Sequence, residues 1–90
     1  MSDSVLKYQV SNEHQHSRVV IIEPWAEEIT LPQDKTLEIT VSCSRIGTLG
    51  IVENERYFIV WLWSGCRATL SIDGQDCTPS TLDIPVPELS

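Results

Sequence analysis

The chain reads as all-β, a single small antiparallel sandwich or partly open barrel of six to eight short strands. Three observations lead there. Segment 36-TLEITVSC-43 alternates apolar and polar residues without a break, which is the period of a half-buried strand. The turn-forming pairs Ser64-Gly65 and Asp73-Gly74 stand between apolar runs at short spacing. No window sustains the three-and-four apolar spacing of a helix face.

Taken in order, Leu6, Tyr8 and Val10 alternate with Lys7 and Gln9 as a first strand. The polar segment 11-SNEHQHS-17 reads as a loop, and residues 1–17 are where loose order is expected. Val19 to Ile22 is a β-branched run with apolar residues on both faces, the pattern of a strand covered on both sides. Pro24 has no N–H for a ladder and ends it. Glu28 to Leu31 forms a short second piece, with Ile29 and Leu31 facing one way. In the strand over 36–43, Leu37, Ile39, Val41 and Cys43 share one face, and Glu38, Thr40 and Ser42 the other.

The loop 44-SRIG-47 leads to 48-TLGIV-52, and 53-ENE-55 turns into 56-RYFIVWLW-63. Ser64-Gly65 predicts a hairpin into 66-CRATLSI-72, and Asp73-Gly74 a second one into 75-QDCT-78. Pro79, Pro85 and Pro87 make 79–90 an extended tail at an edge or outside the sheet. All of 1–90 is one domain, since the chain has no length for a second.

A two-residue turn at Ser64-Gly65 sets a register. Trp63 faces Cys66, Trp61 faces Ala68, Ile59 faces Leu70 and Tyr57 faces Ile72, large against small as in a packed layer. The turn at Asp73-Gly74 pairs Leu70 with Cys77. Cys43, Cys66 and Cys77 then share faces with aliphatic residues and read as inert core thiols. Their odd number and the absence of C-x-x-C spacing argue against a disulfide framework or a zinc site.

The same register turns Phe58, Val60 and Leu62 to the opposite face. Leu49 and Ile51 join them if the 53–55 turn is a two-residue loop; a three-residue loop moves both to the Trp61 face. Such an apolar face needs a cover. The candidates are the N-terminal strand around Leu6 and Tyr8, a second copy in a homodimer, or a protein partner; left uncovered, the face is an open ligand groove.

The net charge of −7 comes from 13 acids against 6 bases, and Lys7, Arg18, Lys35, Arg45, Arg56 and Arg67 are spread along the chain. No basic footprint for nucleic acid results, nor one for an anionic membrane surface. No apolar run approaches the ~20 residues that span a bilayer. The start MSDSVLKYQV lacks a basic region followed by an apolar run, so the default expectation is the cytoplasm.

Chemistry is sparse, and no catalytic residue or cofactor is assigned. His14 and His16 share a face beside Glu13, but no third histidine exists and no metal is expected. There is no G-x-S-x-G, and no glycine-rich loop precedes a helix. The favoured expectation is a non-enzymatic interaction module acting through Phe58, Val60, Leu62, Leu49 and Ile51. The alternative is a small polar ligand or carbohydrate held at Trp25 by Glu23, Glu27 and Glu28. In that stretch, 21-IIEPWAEEITLP-32, an indole sits among three carboxylates; it also reads as a corner pinned by Trp25.

The run 23-EPWAEEITLP-32, the strand 36-TLEITV-41 and a later strand ending at Trp63 with a D-G turn after it resemble a group of small bacterial β-domain proteins carrying an E-P-W-x-E-E segment. The likeness spans roughly residues 18–76. It implies a bacterial β-domain and no particular activity. Those proteins often place a glycine before the third strand, where this chain has Gln33-Asp34-Lys35, a set that also turns readily.

Overall fold

The computed structural model describes residues 3–86. Eight strands fall into two four-stranded sheets: β1 (Ser4–Ser11), β2 (Arg18–Glu23), β3 (Glu27–Leu31), β4 (Thr36–Cys43), β5 (Gly50–Glu53), β6 (Tyr57–Trp61), β7 (Arg67–Ile72) and β8 (Gln75–Asp76). One sheet has the order β1-β4-β7-β8, the other β3-β2-β6-β5, and they pack face to face without closing into a barrel. The fold is thus the small all-β sandwich of the sequence reading.

Within the first sheet every pairing is antiparallel. β4 is central, and its alternation becomes strict burial: Leu37, Ile39, Val41 and Cys43 have no exposed surface. Asp73 and Gly74 both adopt positive φ, 51° and 79°, as a tight two-residue hairpin demands, and Cys77 N–H donates to the Leu70 carbonyl at 2.9 Å. The N-terminal segment 4–11 is a full edge strand against β4 rather than loosely ordered chain. The loop after it is fixed by Asn12, which is buried. Its Nδ2 donates to the carbonyls of His16 (2.9 Å) and Leu31 (3.0 Å), and its Oδ1 accepts from His14 N–H (3.1 Å).

The second sheet corrects two expectations. The sandwich is not wholly antiparallel: β2 and β6 run parallel, with Val19 beside Tyr57, Ile21 beside Ile59 and Glu23 beside Trp61. Nor do β6 and β7 form a hairpin. Gly65 does turn the chain (φ 83°), and Cys66 N–H donates to the Trp63 carbonyl, but the turn carries it from one sheet to the other. Ala68 therefore lies beside Val41 and Leu70 beside Ile39, instead of Trp61 and Ile59. A turn fixes a change of direction; which strand lies alongside is set by where each apolar face finds cover.

The tail also departs from an extended edge. Ser80–Asp83 forms one 3₁₀ turn, and Leu82 and Val86 are buried against the core. Gly65 N–H and the Cys66 carbonyl both bond to Val86. Pro87 and the rest of 87–90 lie outside the described residues. None of the described helical structure is long and apolar enough to cross a membrane.

Candidate functional site

The broken hairpin reverses the faces of β6. Phe58, Val60 and Leu62, expected as a face that the N-terminal strand or a partner must cover, are buried between the sheets. Ile51 pairs with Val60 and shares its side, the parity of the two-residue loop, while Leu49 packs partly buried against the core. As part of an edge strand Ile51 stays 52% exposed. The cover comes from within the chain, so Phe58, Val60 and Leu62 offer no free surface.

What is open is the other side of that sheet. Tyr57, Ile59 and Trp61 of β6 point outward, flanked by Val19, Ile21 and Glu23 of β2, by Gly50 and Val52 of β5, and by Glu28 and Thr30 of β3. Tyr57 is 38% exposed, Trp61 47% and Val52 54%. Trp61 was expected in the core opposite Ala68. The outer face of the first sheet is its chemical opposite: Lys7, Gln9, Glu38, Thr40, Ser42, Arg67 and Thr69 make it polar apart from the exposed Val5 near the start of β1, with Lys7 3.9 Å from Glu38. The molecule therefore has one polar broad face and one apolar broad face.

A signal for this lay in the sequence. The runs Val19–Ile22 and Tyr57–Leu62 are continuously apolar, the pattern of strands covered on both sides, which parallel strands favour. The structure covers one side of each.

The residues around Trp25 are not gathered into a cage. The indole Nε1–H donates to the Ile84 carbonyl at 2.9 Å, and Glu27 Oε1 accepts from Thr81 Oγ1 at 2.6 Å, so both hold the tail. Glu23 and Glu28 project onto the open sheet face instead, and Trp25 itself is half-buried against the core. The chain turns from β2 into β3 over residues 24–26, with Ala26 at φ 62°; the peptide between Glu23 and Pro24 is cis. Two shallow depressions occur elsewhere, one lined by Gln9, Glu38, Ser71 and Asp73, the other by Asn12, Glu13, Asp34 and Lys35; neither touches Trp25.

Among the described residues no three metal-ligating side chains cluster. The His14 and His16 rings meet edge to face at 5.6 Å, and His16 Nε2 lies 3.3 Å from the Glu55 carbonyl. Burial raises the pKa of Cys66 and Cys77 above the ordinary thiol value, so neither is an activated nucleophile. A hydrogen bond and the charge of Asp73 raise Lys35, and hydrogen bonds from Thr78 lower Asp76.

One buried charge escaped the sequence reading. Arg18 is 1% exposed; its guanidinium lies 3.9 Å from the Phe58 ring centroid, Nη1 donates to Glu53 Oε2 at 3.2 Å and Nη2 to the Asn54 carbonyl. Its Nε is buried without a partner. The pair ties β2 to the β5–β6 turn beneath the apolar face.

Compared with protein-family models, curated proteins and solved structures, the chain matches none.

Proposed function

We propose that the protein is a non-enzymatic interaction module that binds a protein through the outer face of the β3-β2-β6-β5 sheet. The supporting observation is the mismatch between sequence pattern and coverage: β2 and β6 are apolar on both sides, yet only their inner sides are fully buried. An aromatic and aliphatic patch rimmed by polar residues is the composition of a docking surface, and tyrosine and tryptophan are the residues that most often anchor one.

The test uses the full chain as bait, with Ile59→Asp and Val52→Asp on the open face and Thr40→Asp on the polar face. A bound protein recovered by wild type and by Thr40→Asp, but reduced at least about tenfold by Ile59→Asp and Val52→Asp, is the expected result. Circular dichroism must show all three variants folded. Equal recovery by every variant sinks the proposal.

A further inference from the structure

The apolar face carries charge of one sign. Among the described residues, the outward strand positions of this face carry two charges, Glu28 on β3 and Glu23 at the end of β2 beside Trp61. None of the six bases occupies an outward strand position of this face: Lys7 and Arg67 are on the opposite face, Lys35 is bonded to Asp73 at 2.6 Å, Arg18 is buried, and Arg45 and Arg56 belong to loops. The whole chain adds a net charge of −7. A surface with an apolar centre, carboxylates at its margin and no base at its strand positions is complementary to an apolar ridge flanked by bases.

The dimensions select among the shapes such a ridge takes. Three strands, β2, β6 and β5, span roughly 14 Å at the usual strand spacing, and their outward residues run for roughly 15 Å. One α-helix, about 10 Å across, fills that width, and about ten residues at ~1.5 Å each fill the length. A second copy of this chain is a poorer fit. A stable dimer buries about 800 Å² per partner, well beyond a patch of this footprint, and a copy would bring its own Glu23, Glu28 and acidic net charge.

We propose that the occupant of this face is a cationic amphipathic helix of about three turns in a protein partner. Its apolar stripe lies over Ile21, Ile59, Tyr57 and Trp61, and its lysine or arginine flank lies toward Glu23 and Glu28. The inference rests on the preceding reading of the face as a docking surface and names what docks.

A random 16-residue peptide library, selected on the full wild-type chain and counter-selected on Ile59→Asp, tests it, with Val52→Asp as the counter-target if Ile59→Asp does not fold. The expected peptides carry a net positive charge and apolar residues at i, i+3, i+4 and i+7. They bind the Glu23→Gln, Glu28→Gln double variant about fivefold more weakly than wild type, and lose that difference at high salt. Selected peptides that depend on Ile59 but are acidic, neutral or patterned as strands overturn the cationic helix and leave the docking surface standing. So does a wild-type dimer in sedimentation that Ile59→Asp dissociates, since the occupant is then a second copy. If no peptide depends on the open face and the chain sediments as a monomer at all concentrations, both readings fall.

Discussion

The indole of Trp63 lies directly over Gly47, so close that a Cβ built on the glycine falls inside van der Waals contact of Cγ, Cδ1 and Cδ2. The ring is held there by its Nε1–H, which donates to the Arg45 carbonyl at 2.8 Å, and so the 44–49 loop is fastened to the end of β6. Gly47→Ala forces the ring off and breaks that bond. The expected loss is about 1–3 kcal/mol in urea unfolding. Replacing Trp63 by Leu first should remove most of the glycine's effect, so the double variant is less destabilised than the sum of the two single ones.

The Arg18–Glu53 pair predicts an asymmetry. Glu53 is half exposed, whereas Arg18 is buried, so Glu53→Ala leaves a cation under the sheet with one carbonyl and the Phe58 ring. The expected cost is about 1–3 kcal/mol, softened by water reaching the exposed end. Arg18→Met in the Glu53→Ala background fills the same space without charge and should recover much of that loss, measured by thermal unfolding. A double variant no more stable than Glu53→Ala refutes the account.

Asn12 uses its whole side-chain amide inside the protein, donating twice and accepting once. Asn12→Ala leaves the Leu31 carbonyl buried without this donor and frees the histidine loop. A loss of about 2–3 kcal/mol is expected. Hydrogen exchange should show residues 13–17 opening before the strands do.

The thiols set an alkaline limit. Burial holds Cys66 and Cys77 above the ordinary thiol value of 9.0, so the unfolded chain gives up its thiol protons first as the pH rises. It then binds fewer protons than the folded chain, and stability falls as pH increases from about that value. Lys35 acts in a later window: its raised pKa preserves stability below 10.5, which is lost only at higher pH. The urea midpoint of wild type should drop between pH 8 and 10 more steeply than that of Cys77→Ala. Labelling with a thiol reagent should reach Cys77 first, and Cys43 and Cys66 only on unfolding.

The elements that could be read from the sequence are those whose environment is local or one-sided. β4 announces itself because one face is buried and the other wet, and Asp73-Gly74 because the hairpin needs two positive φ angles that this pair accepts. β6 could be joined to β5 across the 53–55 turn, but its other neighbour could not be found by local reasoning, because β2 lies far back in the chain and is chosen by tertiary packing. The mistaken hairpin at Ser64-Gly65 then inverted the face, sending Trp61 inward and Phe58 outward. The open surface was hidden by the same error, although the unbroken apolar runs of β2 and β6 already marked both sides as needing cover. Trp25 sits at the corner between β2 and β3, but its partner, the Ile84 carbonyl, belongs to a tail that reads from the sequence as extended, at an edge or outside the sheet.

The chain visits the two sheets by turns: β1 in one, β2 and β3 in the other, β4 back in the first, β5 and β6 in the second, β7 and β8 in the first. Neither sheet is a contiguous piece of polypeptide, and only β2–β3, β5–β6 and β7–β8 join neighbours in sequence. The native state must therefore be reached by closing long loops before the core rewards them, which puts folding in the slow range of milliseconds to seconds. During synthesis, β2 emerges long before β6, and β4 before β7. Until Arg67–Ile72 leaves the ribosome, Leu37, Ile39 and Val41 sit on a strand with one open edge, and a chain released before that point holds every strand of one sheet but only two of the other's four.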